Sequence, residues 1–302
     1  MPDFSELSDF LRSRRAALTP EEIGLPRLAE RRRVPGLRRE EVALAAGLSV
    51  THYTRLEQGR AQQVSDSVLD AIARTLRLTP DEYGHLMDLA RPEPAASRRP
   101  PAPRAARADE GVRLLIDSFT DTPALVLDRR NDVLAWNAMG RLLLASHLDP
   151  DAPDHPARRP NLTRMLFLDD RTRALYPRWQ EEAQLAVASL RLVAGRHPQD
   201  KRLAELVGEL TVGSEEFARR WAKHPVRTCV AGTKELDHPL VGFLELSFQS
   251  LLVPGPSDQR VIAYTARVGS GSEAGLRLLA AARLTDPRSC STGERSPRVP
   301  RR

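Results

Sequence analysis

Cysteine is almost absent from this 302-residue chain, with only Cys229 and Cys290 present. Cys290 sits in a polar stretch rich in Arg and Ser, where a disulfide has little to staple. A disulfide scaffold and a cysteine-based zinc site are therefore both excluded. No run of about 18 apolar residues occurs, which excludes a membrane-spanning helix. The opening residues MPDFSELSDFLRSRR put acids first and show neither an apolar segment nor a small-residue cleavage site. No secretory signal is read there, and a cytoplasmic location is expected. Catalytic signatures are missing as well: the 7 histidines are scattered, with no H-E-x-x-H and no G-x-S-x-G. The stretch VGSGSEAG has the wrong glycine spacing for a nucleotide loop and no room after it for a second β-unit. It reads as a turn into a helix over Glu273 to Ala282. Neither an enzyme nor a cofactor is expected.

Lysine is scarce too: apart from Lys201, Lys223 and Lys234, the 46 basic side chains are arginines. They face 40 acids, for a net charge of +6. Most of that excess lies in residues 287–302, which hold 5 arginines and 1 acid. Residues 1–92 balance 14 arginines against 14 acids, but unevenly, since residues 10–60 carry 11 arginines and 6 acids. A basic face on a neutral domain is the electrostatic feature that bears on nucleic acid.

Hydrophobic periodicity divides the chain. Residues 1–92 form an N-terminal domain with helical spacing throughout: Phe4, Leu7, Phe10 and Leu11; Val42, Ala43 and Ala46; Val50, Tyr53 and Leu56; Val68, Leu69, Ile72, Ala73 and Leu76; Tyr83, Leu86, Met87 and Leu89. Ser49, Ser65 or Ser67, and Thr79 before Pro80 supply helix caps. Residues 93–110 lie in a stretch rich in Pro and Arg that reads as a semi-rigid linker. Residues 111–286 then alternate between patterns. A short helix leads to two strands, PALVLD and DVLAWN, joined around Arg129 to Asn131. Five helical segments follow, and three strands close the domain: TCVAGTKEL, LVGFLELSFQSLLV and QRVIAYTARV. That order is α+β, with one sheet drawing strands from both ends of the domain. Residues 287–302 are expected to be a disordered tail.

Chemistry concentrates in REEVALAAGLSVTHYTRLEQGR, Arg39 to Arg60. A helix-turn-helix needs a small residue at the helix contact, a glycine with positive φ in the turn, an apolar plug and a second helix packed by one side. Ala43, Gly47, Leu48, and Tyr53 with Leu56 meet those needs in order. Ser49 to Gln58 is thereby read as a recognition helix whose exposed N-terminus suits the major groove. Val50, Thr51, His52, Thr54 and Arg55 fall on or beside its outward side.

At these residues the chain resembles the Xre family of phage-repressor-like regulators. The wider pattern FLRSRR, RRRVPGLRREEVA and SVTHYTRLEQGR resembles the MmyB-like regulators. The later stretches TDTPALVLDRRNDVLAWNAMGRLLL, NLTRMLFLD, RALYPRW, GTKELDHPLVGFLELSFQSL and RVIAYTA resemble the ligand-binding domain of the same regulators. Aligned through LEQG, the resemblance implies that Val50, Thr51 and Arg55 read bases, with Arg38, Arg39, Ser49 and Arg60 at the DNA backbone. Arg55 suits guanine, because its planar fork matches O6 and N7. Arg31, Arg32 and Arg33 are expected to add phosphate contacts.

For residues 111–286 the resemblance implies a PAS-like fold that senses a small apolar molecule, with fatty acid as the leading idea. Trp136, Phe167, Trp179, Trp221, Phe243, Phe248 and Tyr264 are candidates to line its pocket, with Asn137 and Arg164 to orient a head group. The expectation is a multidomain regulator: an all-α helix-turn-helix domain and an α+β PAS-like domain, binding double-stranded DNA as a homodimer, with no membrane partner. The alternative is a DNA-binding regulator controlled by protein docking on its C-terminal domain, with no small-molecule ligand.

Overall fold

The computed structural model describes residues 5–25, 36–60, 64–91, 107–255 and 258–285. Arg31 to Arg33, most of the Pro-rich stretch and the 287–302 tail lie outside them. The chain forms two compact units, Met1–Pro101 with Gln184–Thr228, and Ala102–Ala183 with Cys229–Arg302.

The first unit opens with α1 (Ser5–Ala16), α2 (Arg39–Ala45), α3 (Val50–Glu57), α4 (Asp66–Thr75) and α5 (Pro80–Ala90). Each buries one stripe: Leu7, Phe10 and Leu11 from α1, Val42 and Ala43 from α2, Tyr53 and Leu56 from α3, Leu69, Ile72 and Ala73 from α4, Leu86 and Leu89 from α5. A buried Leu or Phe contributes about 2 kcal/mol, and that burial is what holds helices too short to persist alone.

Local chemistry sets the ends of these helices. The Ser49 hydroxyl accepts from the His52 N–H at 3.1 Å and starts α3. Thr79 and Glu82 cap α5 reciprocally, with Pro80 in its first turn. Gly47 and Gly59, at φ 68° and 67°, stop α2 and α3. Beyond each glycine a backbone N–H turns back on the helix, Leu48 to the Ala43 carbonyl and Arg60 to the Arg55 carbonyl, both at 2.8 Å.

The second unit begins with α6 (Glu110–Asp117), β1 (Ala124–Leu127), β2 (Val133–Trp136), α7 (Ala138–Ala145), α8 (Leu162–Leu168) and α9 (Asp170–Ala174). Next comes α10 (Trp179–Arg196), which starts in the second unit and ends in the first. The helices α11 (Lys201–Gly213) and α12 (Glu215–Trp221) belong to the first unit. The second resumes with β3 (Ala231–His238), β4 (Gly242–Leu252), β5 (Arg260–Thr265) and α13 (Gly271–Thr285).

Its five strands form one antiparallel sheet in the order β2-β1-β5-β4-β3. Pairing of β1 with β5 joins the early hairpin to the late three strands, as the two groups of strands in the sequence require. One face carries Leu125, Leu127, Val133, Leu236, Leu244, Leu246, Phe248 and Tyr264 under α7 and α13. Val126, Ala135 and Val261 face the other way, against Ile116 of α6. Covered on both faces, β1 reads as the unbroken apolar run ALVL. β4 alternates because only one of its faces is covered.

Candidate nucleic-acid interface and ligand site

α3 is held from behind by a buried ion cluster. Glu57 has no exposed side-chain area, and its oxygens accept from Arg15 Nε at 2.9 Å and Arg39 Nε at 3.0 Å. Burial opposes ionisation of Glu57, yet the hydrogen bond and charge of Arg15, followed by Arg39, outweigh it and hold its pKa below the usual carboxylate range. Arg15 also donates to the Leu37 carbonyl. α1, α3 and the start of α2 are thereby pinned at one point.

With Tyr53, Leu56 and Glu57 inward, the opposite side of α3 is exposed among the described residues. Thr51 and Arg55, one turn apart, are exposed on that side, and Val50 is 47% exposed at its first turn. Neither Arg55 nor Arg60 has an ion-pair partner among the described residues. Arg38 is half-exposed beside Glu40 at 3.5 Å. Arg39 spends its Nε on Glu57 while its side chain stays 42% exposed, so it can still present its other nitrogens outward. The sequence reading did not single out Gln58, which is exposed three residues after Arg55 and seven after Thr51, on the same face.

The candidate pocket residues scatter. Trp136, Phe248 and Tyr264 do meet at one apolar cluster, with Phe248 and Tyr264 ring centroids 6.4 Å apart. Trp136 Nε1 donates to the Pro150 carbonyl at 2.8 Å. Phe167 and Trp179 form a separate edge-to-face pair at 5.7 Å, with the Arg173 guanidinium 4.0 Å from the Trp179 ring. Arg164 is half-buried on α8, three residues before Phe167. Trp221 belongs to the other compact unit, stacked on Phe217.

Two expectations need correction. Phe243 is 55% exposed, because strand alternation that turns Leu244, Leu246 and Phe248 inward turns Phe243 outward. Asn137 is buried but fully engaged: its amide oxygen accepts from the Ala124 and Gly140 N–H groups, and its nitrogen faces the carbonyls of Ile116, Phe119 and Thr122. It ties β1 to the start of α7 and has no capacity left for a head group.

The polar groups beside the cluster come from elsewhere. Tyr176 and Cys229 are partly buried against it. Lys234 lies 5.0 Å from the Phe248 ring centre and is ion-paired with Glu182. Burial, then the Glu182 charge, raises the phenol pKa of both Tyr176 and Tyr264. Tyr176, Glu182, Cys229 and Lys234 are too far apart in sequence for any periodicity to group them.

A family model for the MmyB-like transcription regulator ligand binding domain matches residues 108–279, more than half of the chain. The chain belongs to the MmyB-like family. A helix-turn-helix domain model matches residues 6–86, which contain the capped α3 and its ion cluster. No curated protein matches the chain. Together the two domains make this MmyB-like chain a DNA-binding transcription regulator with a ligand-binding domain. Both families are regulatory in kind. Among the described residues no helix is long and apolar enough to cross a membrane.

Proposed function

We propose that the chain is a cytoplasmic, homodimeric regulator whose α3 enters the major groove and whose ligand domain sets DNA affinity. Val50, Thr51 and Arg55 read base edges, while Arg38, Arg39, Ser49 and Arg60 hold the backbone. The observation that carries this reading is the two-sided character of α3. One side is locked by buried Glu57, and the other offers exposed Thr51 and an Arg55 with no ion-pair partner among the described residues, beside a capped N-terminus. A homodimer presents two such helices to two half-sites.

The ligand is a small, mainly apolar molecule received at the cluster around Trp136, Phe248 and Tyr264, and fatty-acid-like chains fit that chemistry. The apolar sheet face supports this reading, and the nearby tyrosines supply hydrogen-bonding groups. A ligand acts only through different affinity for the two regulatory conformations.

Chromatin immunoprecipitation of the full chain is expected to return discrete genomic sites sharing a sequence, and a diffuse signal would overturn the DNA reading. Mass spectrometry of molecules released from the purified protein is expected to find a bound amphiphile. A stably folded protein that releases none would favour control by protein docking.

A further inference from the structure

Residues 184–228 fall inside the stretch matched by the ligand-binding family, yet they pack in one compact unit with the helix-turn-helix. Their docking face on α1 and α5 is specific. Arg191 of α10 has a side chain only 2% exposed, bonds the Glu6 carboxylate at 2.8 Å, and stacks 3.7 Å from the Trp221 ring centre. Such a cation cannot remain buried once that carboxylate is lost. Gly195 abuts His85, where a side chain would bring Cβ to 2.5 Å from the imidazole. That ring cannot swing away, because it is buried edge-on against Phe10, 5.1 Å between centroids. Arg14 of α1 donates to the His224 carbonyl at 2.6 Å and pairs with Glu82 of α5. The Asp81 carboxylate accepts from both the N–H and the hydroxyl of Thr228, at 2.9 and 2.7 Å.

We propose that residues 184–228 are a brace on α1 and α5 through which the ligand-binding half of the chain sets the competence of the recognition helix, with α10 as the transmitting element. This rests on the reading above that ligand state controls DNA affinity. Within each unit the route consists of direct contacts, and the continuous helix α10 runs from one unit into the other. At the sensor end of α10, Glu182 pairs with Lys234 of β3, and Trp179 Nε1 donates to the Leu166 carbonyl at 3.0 Å. At its other end, Arg191 and Gly195 grip α1 and α5. On α1, Arg14 serves the brace while the adjoining Arg15 holds Glu57 of α3. A displacement of α1 moves both arginines together, because they sit on one rigid turn. Control through the brace requires docked and undocked states that both ends of the chain can bias.

The test uses the full chain, the DNA fragment recovered by immunoprecipitation, and hydrogen exchange read by mass spectrometry. Gly195→Leu is expected to speed amide exchange across α1 and to weaken binding of that fragment at least fivefold. Lys234→Met, far from α3 in sequence and in the other compact unit, is expected to change exchange in α1 and to shift the same affinity at least threefold, with β4 and β5 still protected. Wild-type affinity in a variant whose α1 exchanges faster would overturn the proposal. So would a Lys234→Met protein with wild-type α1 exchange and affinity, an outcome that stands even if Gly195→Leu fails to fold. A wild type that selects no DNA fragment overturns the DNA-reading proposal instead.

Discussion

His85 shows how one buried side chain adds to the pH dependence of a whole unit. Burial first, then the positive charges of Arg191, His224, Arg14 and Arg196, push its pKa down to about 3. In the unfolded chain the same imidazole takes up a proton near pH 6.5. The unfolded state therefore binds more protons below that pH, so the stability due to neutral His85 is complete above 6.5 and is lost as pH falls toward 3. The expected slope is about 1 kcal/mol per pH unit between pH 6 and 4. Urea titrations across that range should show it, and His85→Leu should remove that share of the slope while leaving the share of His224, whose pKa burial lowers to about 4. Arg55 belongs to the same scale. With no ion-pair partner among the described residues, Arg55→Ala should leave the melting temperature unchanged but cost about 1–3 kcal/mol in specific DNA binding. Anisotropy titrations against cognate and scrambled duplexes would separate that loss from nonspecific affinity.

At the scale of elements, the recognition helix depends on what lies behind it. Eight residues do not make a persistent helix in water, and α3 is held by its cap, its glycine stop, its apolar stripe and the Glu57 cluster. Breaking a buried pair costs more than forming it gains, because the remaining charge stays desolvated. Arg15→Met leaves Glu57 with Arg39 alone and should lower stability by about 3 kcal/mol, measured by chemical unfolding. Arg39→Met should cost less, because Arg39 is the more exposed of the two partners. If Arg39 also touches phosphate, its loss lowers the salt slope of DNA binding as well, whereas Arg15→Met leaves that slope alone. In the sheet, the same element logic separates Phe243 from Phe248: a shift of one position in the strand decides between solvent and core.

For the whole molecule, charge has to be read by location. Residues 287–302 supply most of the net +6. Deleting them should weaken binding to nonspecific DNA, with a shallower salt dependence, and leave cognate recognition largely intact. A cognate affinity that falls in step with the nonspecific one would place the tail in the specific interface. Segment 184–228 carries the other lesson of this scale. Sequence order places it among the sensor helices, and packing places it against the helix-turn-helix.

Much of the architecture was legible because short-range chemistry writes it. The five N-terminal helices follow from apolar spacing, the start of α3 from Ser49, the ends of α2 and α3 from glycines that tolerate positive φ, and the sheet strands from β-branched runs. The outward placement of Thr51 and Arg55 is a matter of helix period alone. By contrast, the partners of Glu57, the burial of Arg191 against Glu6 and Trp221, the engagement of Asn137 and the pairing of Lys234 with Glu182 join residues far apart in the chain. Periodicity determines which side of an element is apolar. Only tertiary packing decides which other element covers it, and whether a polar side chain caught there is spent on the backbone, paired with a charge or left for a ligand.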